Sequence, residues 1–453
     1  MLSPEALTLA DAKVPRYTSY PTAPHFSPAI GPAHASRWME AIDDTQPVSI
    51  YIHVPFCEKL CWYCGCNTSI ASKYGPVHHY FQTLLKEIAL ARRAIGRTLR
   101  AGHVHLGGGT PNALNAADLA ALARVLRESF RFDSDTRFEI EIDPRTLDDA
   151  QIEALKEAGI TRVNLGIQDF DPRVQHAINR IQPFELVAEK ITKLRAAGIA
   201  QIGMDLIYGL PHQSARTIEA TIDQSAELGA ERIALFGYAH VPWMKPHQKL
   251  LEPEGLPGMR ERMALVEAAH RRLDERGYTR IGIDHFAYPD DEMARAQREG
   301  RLRRNFQGYT TDMADALIGF GPSAISAYAQ GYAQNHARLD QWRDAVERDL
   351  VPVVRGIQIT DEDRLRRAVI ERLMCDMEVD LDAICRSHGV TNHALDHFRE
   401  ELGRLDFMVR GGLVTVDGTK LAIPKAAQNF VRVVASMFDQ YIENGKAKHS
   451  VAV

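Results

Sequence analysis

Cys57, Cys61 and Cys64 stand in the spacing Cys-x3-Cys-x2-Cys, and Cys66 follows after a single glycine. Thiolate is a soft ligand, and clustered thiolates suit iron–sulfur clusters or zinc. The two chemistries differ in what they leave open. A four-iron cluster held by three cysteines keeps one iron with a free coordination position, where a small molecule can bind and receive an electron. A structural zinc site instead closes its tetrahedron with a fourth ligand. Zinc ligands usually come as two pairs across a spacer, whereas here Cys375 and Cys385 lie about 300 residues further on. The spacing favours a cluster over zinc and leaves three readings for Cys66: a fourth ligand, a buried thiol, or a reactive group beside the metal.

The elements around this motif alternate. Pro47–Val54 reads as a strand from its β-branched and apolar alternation, and Val77–Arg97 as a long amphipathic helix with Tyr80, Leu84, Ile88 and Ala91 on one face. Strands follow at His103–Leu106, Phe138–Ile142, Arg162–Ile167, Gln201–Ile207 and Arg232–Tyr238. Between them lie helices at Ala116–Phe130 (capped by Asn115), Leu147–Ala158, Phe184–Ala197 and Ser214–Leu228. Gly159, Gly198 and Gly229 sit just past helix ends, where a left-handed residue is expected. Repeated strand–helix–strand units predict right-handed crossovers and a parallel sheet, as a barrel or as an open doubly wound sheet. In either form, functional groups gather beyond the carboxyl ends of the strands. The cysteine loop follows the first strand and Gly107-Gly108-Gly109-Thr110 the second. Glu141 closes the third, Gln168 follows the fourth, Asp205 lies near the end of the fifth, and Tyr238-Ala239 ends the sixth. All of these fall on one rim.

Residues 1–46 carry little periodicity and read as an irregular arm. From about residue 356 the pattern changes to closely spaced helices, a hairpin of Met408–Val416 with Leu421–Ile423 across Asp417-Gly418, and a last helix from Lys425 to Glu443. This order is that of a small winged-helix-like domain. The domain division expected is 1–46, 47–355 and 356–453. The chain has 453 residues, 45% hydrophobic and 25% charged, with a formal net charge of −5. That balance gives no case for nucleic acid or a membrane surface as partner. No apolar run is long enough to span a bilayer, and Met1–Leu7 lacks the features of a signal peptide. The expectation is a cytoplasmic chain whose cysteines are ligands or free thiols. Cys375 and Cys385 are expected to be packed thiols, and His53 a hydrogen-bonded core residue.

The run Tyr51-Ile-His-Val-Pro-Phe-Cys57-Glu-Lys-Leu-Cys61-Trp-Tyr-Cys64-Gly-Cys66-Asn67 resembles the radical S-adenosylmethionine (SAM) enzymes, in particular the oxygen-independent coproporphyrinogen III oxidases. The resemblance continues through Pro15–Thr22, Gly107–Pro111, Glu141–Arg145, Gly166–Phe170, Asp205–Pro211, Tyr238–His240 and Asn305–Thr311. It implies an α/β fold, an incomplete barrel of six β/α units, with the N-terminal arm and the helical C-terminal domain attached. It implies a [4Fe–4S] cluster on Cys57, Cys61 and Cys64, and two molecules of SAM. Tyr51, Gly108, Glu141 and Ile325 would contact the first. Tyr63, Gly109, Thr110, Gln168, Arg180, Asp205 and Ala239 would contact the second. Cys66 is then a catalytic residue near cofactors or substrate, not a ligand, and Glu141 is counted with it.

The implied reaction is oxidative decarboxylation of two propionates of coproporphyrinogen III to vinyl groups, through a 5′-deoxyadenosyl radical, giving protoporphyrinogen IX. A one-electron donor such as flavodoxin or ferredoxin and a monomeric chain complete the expectation. Arg16, a planar donor fork beside aromatic residues, is expected to pair with a substrate carboxylate. Two rival readings stand beside this one. Haem chaperones of the same superfamily generally lack Cys66, the Gln-Asp-Phe form at 168–170 and the Arg16–Tyr20 arm, all of which are present here. A zinc-stabilised DNA-binding protein would need a basic stretch that the C-terminal helices do not carry.

Overall fold

The computed structural model describes Leu9 and residues 12–442, and the chain divides into two compact units. One comprises Ser27–Arg276 and Asp312–Gln358. The other comprises Gly277–Thr311 with the described parts of Met1–Phe26 and Ile359–Val453.

The first unit is built on β1 (Val48–Val54), α1 (Tyr74–Ile95), β2 (Ala101–Gly108), α2 (Ala116–Ser129), β3 (Arg137–Ile142), α3 (Asp149–Glu157), β4 (Arg162–Gln168), α4 (Phe184–Ala196), β5 (Gln201–Tyr208), α5 (Ala215–Glu227) and β6 (Arg232–Gly237). Strands β1 to β6 neighbour one another in sequence order, and every pair is parallel. This is the incomplete (β/α)6 barrel. Helix α6 (Met259–Glu275) packs beside α5. The free edge of β1 takes a parallel partner, β7 (Ala316–Phe320). Antiparallel β8 (Ile325–Tyr328), β9 (Gly331–Asn335) and β10 (Val353–Gln358) continue the sheet, with α7 (Leu339–Glu347) between β9 and β10.

Strand alternation decides where the chemistry stands. Ile50, Ile52, Val104, Leu106, Ile140 and Ile142 are buried on one face. The alternate positions carry Ser49, Tyr51 and His53 on β1, His103 and His105 on β2, and Glu139 and Glu141 on β3. Side chains two apart share a face, so a polar layer runs up these strands toward the rim. The helices begin where short polar side chains satisfy open N–H groups. The Asp118 amide donates to Asn115 at 2.9 Å, and Asp148 and Ser214 each head a capping box. Gly159, Gly198 and Gly229 take the left-handed conformation after α3, α4 and α5.

The second unit holds the hairpin Thr279–Ile281/His285–Ala287, helix Glu292–Arg298 and the ribbon Arg303–Asn305/Gly308–Thr310. Its C-terminal part is mainly helical: Asp361–Asp376, Leu381–Ser387, Ala394–His397 and Arg399–Arg410, with a three-stranded antiparallel sheet ordered Glu378–Asp380, Lys420–Ala422, Thr415–Asp417. The arm residues are held here by backbone: Arg432 Nε donates to the Pro15 carbonyl at 3.0 Å, Arg432 Nη2 to that of Val14, and Arg304 Nε to that of Arg16 at 3.3 Å.

Three expectations change. Residues 32–40 of the arm form a helix, Pro32–Glu40, started by Pro32 at its first turn and burying Ala35, Trp38 and Met39. The hairpin is shorter than expected because Met408–Arg410 complete the preceding helix, which Gly411-Gly412 ends. The last segment is a 3-10 turn at Lys425–Phe430 and a short helix at Val431–Ser436. Beyond it Asp439 accepts from the Tyr17 hydroxyl at 3.0 Å and from the Tyr441 amide at 2.8 Å, which fixes a turn there. Glu443 and Met1–Leu7 lie outside the described residues.

Glu87 ties the unit together from inside α1. Its carboxylate accepts from Asn335 Nδ2 (2.7 Å), the Gly321 amide (2.8 Å) and Trp342 Nε1 (3.1 Å), and its side chain is buried. Glu87→Ala strands three buried donors and is expected to lower unfolding stability by about 3 kcal/mol or more. A urea midpoint within error of the parent chain would contradict this.

Candidate active site

The loop after β1 is fixed before any cofactor is considered. The Cys64 amide closes a turn on the Cys61 carbonyl at 3.1 Å. Trp62 N donates to Ile178 O at 3.0 Å, Asn179 Nδ2 to Leu60 O at 2.8 Å, Lys245 Nζ to Cys66 O at 2.6 Å, and Gln248 Nε2 to Tyr63 O at 2.9 Å. His247 Nε2 meets the Cys64 carbonyl at 2.9 Å. Trp62 and Tyr63 pack on the apolar cluster of Val174, Ile178, Ile207, Leu210, Tyr238 and Leu251.

The three sulfurs each receive a protein donor. Thr68 Oγ1 donates to Cys57 Sγ at 3.4 Å, and the Cys66 amide to Cys64 Sγ at 3.4 Å. Arg145 Nη2 and Arg180 Nη1 both reach Cys61 Sγ at 3.5 Å. Donors aimed at sulfur stabilise thiolate, the form that binds metal. None of the six cysteines is in a disulfide. Burial pushes the Cys57 thiol up to about 11. The hydrogen bond with Cys66 brings Cys64 down to about 6, with Lys245 and His247 adding to the effect. The residue set fits a three-cysteine cluster. Cys66 is the exposed member of the four.

The two guanidiniums on Cys61 share one carboxylate. Arg145 Nη2 lies 2.6 Å and Arg180 Nη1 3.3 Å from Asp143 Oδ2, and Arg180 Nη2 donates to Gly166 O at 2.6 Å. Burial pushes the Asp143 carboxyl up, but Arg180 and then Arg145 outweigh it and hold it below its ordinary value. Asp143, Arg145 and Thr68 were not singled out from sequence. The Asp-Pro-Arg that follows Glu141 at a strand end was the available signal.

Glycines make the cradle. A Cβ on Gly107 would lie 2.9 Å from the Glu141 carboxylate, and one on Gly109 would lie 2.5 Å from Thr68 Oγ1. Gly108, at φ 118°, passes His53 so closely that a Cβ would come within 2.8 Å of its ring. This crowding admits only glycine where backbone must approach a ligand. The Gly108 amide donates to Glu141 Oε2 at 3.2 Å, and that side chain remains 41% exposed.

The expected contact residues form two groups. Tyr51 stacks on His105 (6.0 Å, 24°) beside Glu141. It stands level with Gly319, where a Cβ would lie 2.8 Å from Ile325 O. Around β4 to β6, a Cβ on Gly166 would lie 3.0 Å from both Arg180 Nη2 and Gln168 Nε2, and Asp205 stands level with Gly166. Gln168 is a buried non-glycine at φ 71°, next to a register shift in the β4–β5 pairing. Strained backbone of this kind clusters at functional sites. Gln248 Nε2 bridges the carbonyls of Tyr63 and Ala239 at 2.9 and 3.3 Å. Thr110 is buried, and its hydroxyl accepts from the Asp143 amide at 3.0 Å. Arg16 lies in the other unit, with an exposed side chain. His53 is buried, with Nε2 2.9 Å from the Asn67 carbonyl, and burial holds its pKa down. Cys375 and Cys385 are buried in the second unit.

Residues 51–224 match the Radical SAM superfamily. A Bradyrhizobium diazoefficiens protein named oxygen-independent coproporphyrinogen III oxidase is 44% identical, over 99% of both chains. The Escherichia coli protein of that name is 37% identical over 94% of this chain and 93% of its own. This chain belongs to the oxygen-independent coproporphyrinogen III oxidase family. A solved structure of coproporphyrinogen III oxidase from Escherichia coli, described as a radical SAM enzyme, superposes with a TM-score of 0.90 at 35% identity, covering 95% of this chain and all of that one. Family membership implies a [4Fe–4S] cluster and SAM.

Asp143→Ala leaves two buried guanidiniums without their carboxylate. The expected loss is about 3 kcal/mol at neutral pH, read by thermal unfolding of the metal-free chain. Because the Asp143 pKa is lowered on folding, its contribution is present above the ordinary value of 3.8 and fades as pH falls below it. An equal deficit at pH 3 and pH 7 would contradict this.

Proposed function

We propose that this chain catalyses the oxygen-independent oxidative decarboxylation of two propionates of coproporphyrinogen III, giving protoporphyrinogen IX. The observation that supports this most directly is the set of donors on the sulfurs of Cys57, Cys61 and Cys64, in a chain whose relatives of that name align over nearly its full length. When bound, the cluster and SAM supply one-electron cleavage to a carbon radical that removes a hydrogen atom from a propionate, after which carbon dioxide and one electron depart and a vinyl group remains.

The chain's own residues bind, orient and enclose. Cys57, Cys61 and Cys64 would hold the cluster, and the Arg145–Asp143–Arg180 group offsets the negative charge at Cys61. Two SAM molecules are proposed. The first lies against Tyr51, Gly108, Glu141 and Ile325. The second lies against Tyr63, Gly109, Thr110, Gln168, Arg180, Asp205 and Ala239. Glu141 presents a half-exposed carboxylate suited to an ammonium or ribose hydroxyls, and Asp205 offers the same chemistry. Arg180 and the open glycine amides suit a carboxylate. Cys66, close to Cys64 yet exposed, is the group available to move a proton or hydrogen atom beside the substrate.

Arg16 is proposed to pair with one substrate carboxylate. Its backbone is held by Arg304. His285, Arg304 and Arg16 itself keep buried Asp284 at about 2 against the upward push of burial, which marks a cation-rich neighbourhood. A monomer in the cytoplasm, reduced by flavodoxin or ferredoxin, completes the reading. Among the described residues no helix is long and apolar enough to cross a membrane.

The test is anaerobic incubation with coproporphyrinogen III, SAM and reductant. Protoporphyrinogen IX and two carbon dioxide per turnover are expected; no product from iron-replete protein would overturn the reading. Cys66→Ser is expected to keep its iron and lose turnover by about a hundredfold or more, while Cys61→Ser loses iron. Loss of iron in the Cys66 variant would make that cysteine a ligand. Arg16→Ala is expected to raise KM about tenfold or more with iron unchanged, and an unchanged KM would reject its role.

A further inference from the structure

Behind Glu141, five ionisable side chains stand in single file along the polar faces of β1 to β3. Asp312 Oδ2 lies 3.6 Å from His103 Nδ1, and His103 Nε2 lies 3.3 Å from Glu139 Oε2. Glu139 Oε2 lies 3.8 Å from His105 Nδ1, and His105 Nε2 lies 3.0 Å from Glu141 Oε1. His103, His105 and Glu139 are buried. Each imidazole therefore meets a carboxylate at both ring nitrogens. A neutral imidazole donates from only one nitrogen; a ring between two acceptors is satisfied as the imidazolium. The signs alternate along the file, negative at Asp312, Glu139 and Glu141 and positive at the two histidines.

The neighbouring elements agree with this assignment. From β1, the Ser49 hydroxyl donates to Asp312, Tyr51 stacks on His105, and the His53 ring bonds Tyr51. From β4, Arg162 Nε lies 3.5 Å from Glu139 Oε1, and its Nη1 lies 3.7 Å from Glu231. Burial works against both imidazoliums, yet the carboxylates hold His103 up to about 9 and His105 up to about 10. Only the last member opens outward: the Glu141 carboxylate is 41% exposed, with the Gly108 amide on its other oxygen.

We propose that His105, Glu139, His103 and Asp312 are positioning residues that keep Glu141 ionised and in one rotamer for the ammonium or ribose hydroxyls of SAM. This rests on the reading that Glu141 contacts SAM. A carboxylate at an open rim has several rotamers. One gripped from behind by an imidazolium, itself gripped by a second carboxylate, has lost that freedom before the ligand arrives, so binding does not have to supply it.

Glu139→Gln keeps the size and removes the central charge. SAM affinity is read by equilibrium binding to the reconstituted protein, with Glu141→Gln in parallel. Ring-nitrogen NMR of 15N-histidine-labelled, metal-free protein reads the protonation. The proposal expects two buried rings doubly protonated at pH 8 in the parent chain and at least one neutral in Glu139→Gln. It expects SAM binding weakened about tenfold or more in both variants, with iron content unchanged. Weak binding in Glu141→Gln beside parent-like binding in Glu139→Gln overturns the positioning file and leaves the Glu141 contact standing. Parent-like binding in Glu141→Gln overturns both. Neutral rings in the parent chain, or a divalent ion other than iron bound stoichiometrically at His103, His105 and Glu139, also overturn it. Should Glu139→Gln not fold, His103→Gln makes the same comparison.

Discussion

The sulfur of Cys61 sits under two guanidiniums that share one carboxylate, and much of the rest follows from that arrangement. Arg145 and Arg180 come from the segments after β3 and β4, Asp143 from the end of β3, and Cys61 from the loop after β1. A parallel sheet with strands in sequence order brings those ends to one rim. Two like charges at one sulfur are tolerable because Asp143 lies between them and because the sulfur is an anion in its metal-binding form. The barrel thus gives the cysteine loop a counter-charge before any cofactor arrives. Thr68 and the Cys66 amide extend the same logic to Cys57 and Cys64.

The sheet divides its labour by alternation. One face is aliphatic and supplies the burial that stabilises the unit, at roughly 25 cal/mol for each Å² of apolar surface removed from water. The other, on β1 to β3, carries serine, tyrosine, histidine and glutamate. A polar interior is costly unless its members satisfy one another. Here they do, by stacking, hydrogen bonds and alternating charge that end at the Glu141 carboxylate. Stability and pre-organisation therefore come from opposite faces of the same strands.

Most of the first unit was legible in the sequence, because strands buried between helices leave strong apolar runs and because capping residues and glycines mark the helix ends. Asn115, Asp148 and Ser214 took those roles. The short helix Pro32–Glu40 was missed, since few turns give little periodicity. The C-terminal hairpin was overextended because an apolar run such as Met408–Val409 fits either a helix end or a strand, and Gly411-Gly412 decides it. Residues that meet ligands through type and spacing, the cysteines and the triple glycine, stood out. Asp143, Arg145 and the histidine–glutamate file did not: charged residues inside strands are read singly from sequence, and their meaning depends on which strands become neighbours.

The central claim is that three cysteines hold a cluster whose fourth iron is left for SAM. Mössbauer spectroscopy of 57Fe-reconstituted protein, with and without SAM under anaerobic conditions, tests it most directly. The account predicts one iron in four whose isomer shift moves on SAM addition while the other three stay in place. Four irons equally indifferent to SAM, or a cluster that Cys66 completes as fourth thiolate, would contradict it.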